Sequence, residues 1–509
     1  MKPTPPTPAA LRFWQDNAPL KSSAVTLSFQ VVRYVANIGL TMALARLIAP
    51  ADFGLFAMAV TFTGLLMLFR DGGLEAAMIS RGHASEHERA AVTGLACFYG
   101  LLLAAACAAA GPVLARVFGE PRLVAALLLP AGAFLFYGLD VMPSADLLLA
   151  HRFRTHAAVE MVAIFTGWCA TLLLAWRGAG YWALFSTEIV SAASLLAGHA
   201  WAARWRPRFS RSWGLARHFF HFGRTVSFNR ALGHASRNID NLILGVVAGA
   251  TGLAFYSKAY RLVSVPQDSI NSPLTRMALP LLARLRDTPA EFVRAYRHFI
   301  LTSLALSLPG VAFLLLSTPQ IVAIIYGPTW TPVVPLLRLL GLMGLFGPLL
   351  VSAGWVFTAL GTVDRQLRWE VLNVVVLTAA FLVGAHWGVA GVAAAASLGH
   401  TALRVPALLY CFRGSPLRLR DVAEVVWRPL LATAIAAGFV LLVQHTTAPG
   451  HSVLAAVARD GVVLAAGYAL GWIAVPGWRA FLRHELRRPA ASATTPASDR
   501  TSLSAAGTH

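Results

Sequence analysis

Charge is scarce in this chain. Asp, Glu, Lys and Arg make up 13% of its 509 residues, about half of the ~25% usual in a soluble domain. That is too little to cover a folded surface in water, so a soluble globular protein is excluded. Cysteine is scarce too. Cys97, Cys107, Cys169 and Cys411 lie in or at the edge of apolar segments without metal-ligand spacing, which leaves them as small packing residues rather than a zinc or disulfide framework. There is no Walker loop, no zinc-spaced His/Cys set and no nucleophile elbow, so no catalytic residue, metal or cofactor is expected, and ATP-driven transport by this chain alone is excluded. Alternating segments of ~10 residues, which a membrane β-barrel needs, do not dominate. Long loops are missing as well: the longest internal one, 203–221, is too short to fold as a domain, which argues against a membrane enzyme with a large extramembrane catalytic part.

Apolar residues are abundant, at 57%, and they gather in runs of ~20, each enough to cross a bilayer core. The chain reads as an all-α polytopic membrane protein with about 14 transmembrane helices, at 22–48, 53–69, 91–110, 124–149, 158–176, 181–202, 222–248, 252–282, 298–318, 332–360, 366–384, 388–411, 428–446 and 453–475. The net charge of +20 does not indicate nucleic acid. The Lys and Arg residues sit mainly in alternate loops, while the opposite loops hold Arg46, Arg116, Arg122 and Arg177. This bias makes both termini cytoplasmic. The expected organisation is a cytoplasmic tail (1–21), an N-lobe of six spans (22–202), a cytoplasmic inter-lobe loop (203–221), a C-lobe of six spans (222–411), two extra helices (412–476) and a basic, then disordered, cytoplasmic tail (477–509). His218 and His221, in the inter-lobe loop beside Arg and Phe, read as part of an interfacial amphipathic segment rather than a metal site.

A partly polar helix recurs about 200 residues apart. Segment 27–59 echoes 226–259, with Leu47/Val247, Phe56/Tyr256 and Ala59/Ala259 in register. Spans 1 and 7 cross in the same direction, so the two six-helix lobes form a parallel repeat, the arrangement of several transporter folds. Ionisable groups at bilayer depth are costly unless they face a cavity or a partner. Gln30, Arg33 and Asn37 share one helical face of span 1, and Arg230 and Arg237 share one face of span 7, close to Asp240 and Asn241. Span 8 adds Lys258, Arg261, Asp268, Asn271 and Arg276, with Pro266, Pro273 and Pro280 predicting a kink. Arg33, Arg230, Arg237, Lys258, Arg261 and Arg276 are the expected cationic, substrate-binding lining of a central cavity. Gln30, Asn37, Asn241 and Asn271 are its polar lining, and Asp140, Glu188, Asp240 and Asp268 are candidates to carry a coupling ion. The surplus of cations asks for an anionic substrate, and a diphosphate suits the forked Arg donor.

Three segments carry a family likeness: ARLIAPADFGLFAMAVTFTGLLMLFRDGGLEAAMISR (45–81), RNIDNLILGVVAGATGLAFYSKAYRLVSVPQDSINSPLTRMALPLLARL (237–285) and IIYGPTWTPVVPLLRLL (324–340). They resemble the polysaccharide-transporter branch, the Wzx-type flippases, of the multidrug/oligosaccharidyl-lipid/polysaccharide exporter superfamily. Ala254, and Arg70-Asp71 before Gly72-Gly73, depart from the usual family pattern. The resemblance implies a flippase for undecaprenyl-diphosphate-linked oligosaccharide in the bacterial inner membrane, working by alternating access and feeding O-antigen, capsule or exopolysaccharide assembly. It implies a lipid-diphosphate-linked oligosaccharide and membrane lipids as partners, with a polysaccharide polymerase and chain-length machinery downstream. Two other classes fit less well: a cation-coupled multidrug exporter of related fold, which would favour acids in its cavity, and a membrane polysaccharide polymerase or ligase, which would need a larger outward loop.

Overall fold

A computed structural model describes residues 33, 35–82, 85–209, 238–447 and 452–474. Among these the regular structure is helical throughout, and twelve helices are long and apolar enough to cross a membrane. This is not the expected count of 14. Residues 22–32 and 34 of the first expected span, 22–48, lie outside the described residues, and the rest of it holds the short apolar helix Val35–Leu47 (α1). Expected spans 7 and 8 are joined in one 46-residue helix, Ile239–Arg284 (α9), within which Gly249 alone leaves helical geometry (φ 64°, ψ −172°). The break anticipated between 248 and 252 is therefore present, but as a single glycine rather than a loop. Only a residue without Cβ takes that positive φ at no cost. Pro266, Pro273 and Pro280 lie inside the helical run.

The remaining helices follow the apolar runs and overshoot them. Pro289–Leu316 (α10) and Leu419–Thr446 (α17) begin about nine residues before the apolar stretch. Those polar first turns carry Arg294, Arg297 and Arg420, whose partners include Glu291 and Glu424. Hydropathy marks where lipid begins, whereas the helix continues into the interface. Helix Glu86–Phe118 (α4) starts on a reciprocal cap: Ser85 Oγ accepts from the Glu88 N–H, and the Glu88 carboxylate accepts the Ser85 N–H at 2.8 Å. Many large apolar side chains, among them Val162, Trp201, Leu454 and Val462, point outward, the surface a bilayer covers.

The chain divides into two compact units. The first comprises Met1–Ala259, Pro319–Leu336 and Phe381–Ala393. It contains α1, Pro50–Met67 (α2), Leu74–Arg81 (α3), α4, Arg122–Ala126 (α5), Leu128–Leu149 (α6), Phe153–Trp176 (α7), Tyr181–Ala203 (α8) and the first part of α9. Its helices approach through small residues, as membrane helices do. A Cβ on Gly100 of α4 would sit 2.7 Å from the Phe134 carbonyl oxygen, and one on Gly138 of α6 would sit 2.6 Å from that of Ala96. Gly54 of α2 is closer still to α9: its Cβ would be 1.7 Å from the Ala250 oxygen.

The second unit comprises Tyr260–Thr318, Leu337–Ala380 and Ala394–His509. Its core gathers Phe292, Tyr296, Trp355, Phe357 and Phe412, with Trp355 Nε1 donating to Thr275 Oγ1 at 2.8 Å. Helix Val453–Ala474 (α18) packs on α17, Gly471 lying against the Ala432 backbone. Between them Asp460 is wholly buried. Its carboxylate accepts from Gln444 Nε2 at 2.6 Å, Ser317 Oγ at 3.2 Å and the Arg459 guanidinium at 2.9 Å. Arg459 is thus the counter-ion of a buried acid.

Candidate functional site

Three helices of the first unit turn partly polar stripes toward one another. On α6 the stripe is Tyr137, Asp140, Val141 and Ser144, and on α7 it is His156, Glu160, Ile164 and Trp168. On α8 it is Thr187, Glu188, Ser191, Leu195 and His199. Spacings of three and four residues keep each set on one face. Arg70 and Asp71, in the turn after α2, Glu75 of α3 and Arg33 complete the wall of a cavity of about 380 Å³. Gly72 and Gly73 take positive φ (56° and 72°), and this left-handed pair turns the chain sharply enough to bring Arg70, Asp71 and Glu75 to the same rim.

The polar groups form connected chains. Asp140 Oδ1 lies 2.9 Å from His199 Nδ1. The His199 ring stacks on His156 with centroids 4.7 Å apart and planes 16° from parallel. His156 Nε2 lies 3.0 Å from Ser144 Oγ, which donates to Glu75 Oε1 at 2.8 Å. On the other side Tyr137 donates to Glu188 Oε2 at 3.3 Å, and Arg70 lies over the Tyr137 ring at 5.3 Å. His199 is 2% exposed, and its Nε2 has no hydrogen-bond partner among the described residues. Burial pushes the Glu75 carboxyl above its ordinary range; Asp71 and Asp140 push the same way, and the Ser144 hydroxyl and Arg70 oppose them. Glu75 therefore takes its proton at a higher pH than a free glutamate. Five carboxylates and two guanidiniums line the space, so with neutral imidazoles its lining is acidic.

This cavity collects three of the expected site residues, Arg33, Asp140 and Glu188. Asn37, half-buried on α1, is not in its wall. Asp240 is buried, accepting from the Tyr256 hydroxyl at 2.8 Å and from the Asn241 N–H, while Asn241 donates to Asn238 at 3.2 Å. In the second unit Arg261, Asp268 and Arg276 lie on one exposed helical face, and buried Asn271 accepts from Ser303 Oγ. Gln30, Arg230 and Arg237 lie outside the described residues, as do His218 and His221. The residues missed by sequence reasoning are Arg70, Asp71, Glu75, His156, Glu160, Trp168 and His199. The four-residue rhythm His156, Glu160, Ile164, Trp168 is the signal that could have found the α7 wall.

Lys258 occupies a different place. Its ammonium stands over the Phe53 ring at 3.9 Å, with the Tyr326 and Trp330 rings at 5.6 and 5.8 Å. Trp330 is fully buried, packs edge-on to Phe53 at 5.3 Å and donates to the Ala45 carbonyl at 3.0 Å. Arg46 donates to the Ile324 carbonyl at 2.7 Å. Residues of all three family-like segments thus meet in one aromatic clasp. Trp330→Ala is expected to cost about 3–5 kcal/mol through the cavity it leaves. Lys258→Met keeps the stem and removes the cation–π attraction, about 1–2 kcal/mol. Thermal unfolding of the two variants in detergent checks the order.

A protein-family model described as "Polysaccharide biosynthesis protein" matches residues 43–335. The Teichuronic acid biosynthesis protein TuaB of Bacillus subtilis (strain 168) is 25% identical over 74% of this chain and 79% of its own length. The Succinoglycan biosynthesis transport protein ExoT of Rhizobium meliloti (strain 1021) is 25% identical over 68% and 74% respectively. Among solved structures, the Lipid II flippase MurJ in an inward closed conformation superposes with a TM-score of 0.68 at 12% identity, covering 88% of this chain and 99% of that one. At that identity the likeness is one of fold.

Proposed function

The chain belongs to the polysaccharide biosynthesis protein family, and on that premise we propose that it is a flippase for a lipid-diphosphate-linked oligosaccharide. It moves the undecaprenyl-diphosphate-linked unit from the inner to the outer leaflet of the bacterial cytoplasmic membrane by alternating access. The product feeds O-antigen, capsule or exopolysaccharide assembly, where a polymerase takes it up. The family match over residues 43–335 carries this reading. The relative named as a transport protein and the fold shared with a lipid flippase support it. Both termini are cytoplasmic in this reading, from the charge bias of the loops.

Arg33, Arg230, Arg237, Lys258, Arg261 and Arg276 are our candidates to hold the diphosphate. Asp140 and Glu188, which line the first unit's cavity, are our candidates for a coupling ion. Asp240 already accepts two hydrogen bonds and ranks lower, and Asp268 is kept as a further candidate. Deleting the gene in its host should abolish polysaccharide export and leave lipid-linked repeat units in the inner leaflet. Arg33→Ala should lower export roughly ten-fold at normal protein level. Normal export from the deletion strain would sink the flippase reading.

A second reading, a cation-coupled drug exporter, is favoured by one observation: carboxylates outnumber guanidiniums in the cavity. It expects the deletion to raise sensitivity to cationic drugs without changing the glycan.

A further inference from the structure

We propose that the acidic cavity of the first unit is a sugar-recognition site, selective for neutral or amino sugars and closed to uronic acids. The inference rests on the flippase reading and names the part of the substrate this cavity takes.

The volume, about 380 Å³, is far larger than an ion needs and falls in the range of small-molecule sites, ~300–1,000 Å³. No group of three or more His, Cys, Asp or Glu able to hold a metal occurs among the described residues. The lining combines two aromatic side chains, Trp168 and Tyr137, with a dense set of hydrogen-bonding groups: five carboxylates, Ser144, Thr187, Ser191 and two imidazoles. A pyranose matches both halves, with C–H faces for an aromatic ring and hydroxyls that donate to carboxylates. His199 lines this space with its Nδ1 held by Asp140 and its ring stacked on that of His156.

Charge then selects. A uronate would bring a sixth carboxylate into a cavity where Arg33 and Arg70 face Asp71, Glu75, Asp140, Glu160 and Glu188. An ammonium on the sugar meets the opposite field, and a neutral sugar is indifferent to it. Arg70, Asp71 and Glu75 lie in the segment between α2 and α4, which faces the cytoplasm in the orientation proposed above. The cavity therefore stands at the end where a unit assembled inside the cell is loaded.

The test uses the purified full chain in detergent, with a glucosamine oligomer, a glucose oligomer and a galacturonate oligomer as probes at millimolar concentration. Saturation-transfer NMR and thermal unfolding are read together. The amino and neutral sugars should receive saturation and raise the Tm, and the uronate should do neither. Trp168→Ala should weaken the response to both on the order of ten-fold. Glu188→Gln should weaken the amino sugar more than the neutral one. Equal or stronger response to the uronate overturns the proposal, as does no response to any sugar by protein that unfolds cooperatively. A sugar response unchanged in a folded Trp168→Ala variant does the same. These outcomes are independent of the export phenotype, so failure of the flippase reading is recognised separately.

Discussion

Gly54→Val is expected to remove the folded protein from the membrane. A Cβ at this position would lie 1.7 Å from the Ala250 carbonyl oxygen and 2.2 Å from its carbon. The obstructing atoms are backbone, which cannot rotate aside as a side chain would, so α2 and the start of α9 must separate. Overpacking usually costs about 1–3 kcal/mol, and more where nothing yields. Separation would also pull Phe53 away from Lys258 and Trp330, loosening the aromatic clasp. Even Gly54→Ala carries the offending atom and should fall well below wild type. Gly39→Val is the control, since nothing among the described residues lies within 4 Å of its Cβ. Membrane-fraction abundance and unfolding temperature in detergent decide the matter, and equal values for Gly54→Ala and wild type would refute the close crossing.

Asp140→Ala should be the most damaging change inside the cavity. It takes the acceptor from His199 Nδ1, leaving a 2%-exposed imidazole without a partner for either nitrogen among the described residues. An unsatisfied buried polar group costs about 1–3 kcal/mol, and the stacked His156 ring, linked through Ser144 to Glu75, loses its fixed neighbour. Asp140→Asn keeps an acceptor and the shape but removes the charge. If the charge is what transport uses, both variants should export roughly ten-fold less, at or beyond the equivalent of ~1.4 kcal/mol, while only the alanine form melts earlier. Near-normal export by Asp140→Asn would reduce this residue to a structural support for His199.

The helices were legible because lipid imposes an unambiguous signature: long apolar runs that satisfy their own backbone. Their ends were not, since polar first turns such as 289–297 extend a helix without raising its hydropathy. The Gly249 break was readable as a position but not as geometry. The site was legible only in part. Reading intramembrane charge as function found Arg33, Asp140 and Glu188, which the structure gathers around one cavity. It passed over His156, Glu160 and Trp168, whose four-residue rhythm is interrupted by Ile164 and diluted by apolar neighbours. Arg70 and Asp71 had registered only as a departure from a family pattern, although they lie on the cavity wall. The clasp around Lys258 was out of reach, because sequence separation conceals that Ala45, Phe53 and Trp330 meet.

The pairing of Arg459 with Asp460 bears on how the chain is made. Either charge alone opposes transfer from the translocon into lipid, by about 2.5–3.5 kcal/mol at the centre of a span and by less toward its ends, where Arg459 and Asp460 lie two turns in. Adjacent in sequence and bonded at 2.9 Å, they can enter as a neutral couple, so α18 need not wait for Gln444 or Ser317 to shield the acid. Insertion can precede docking against α17. A change that discharges only one member of the couple would then act during synthesis, delaying the last membrane crossing before it weakened the finished fold.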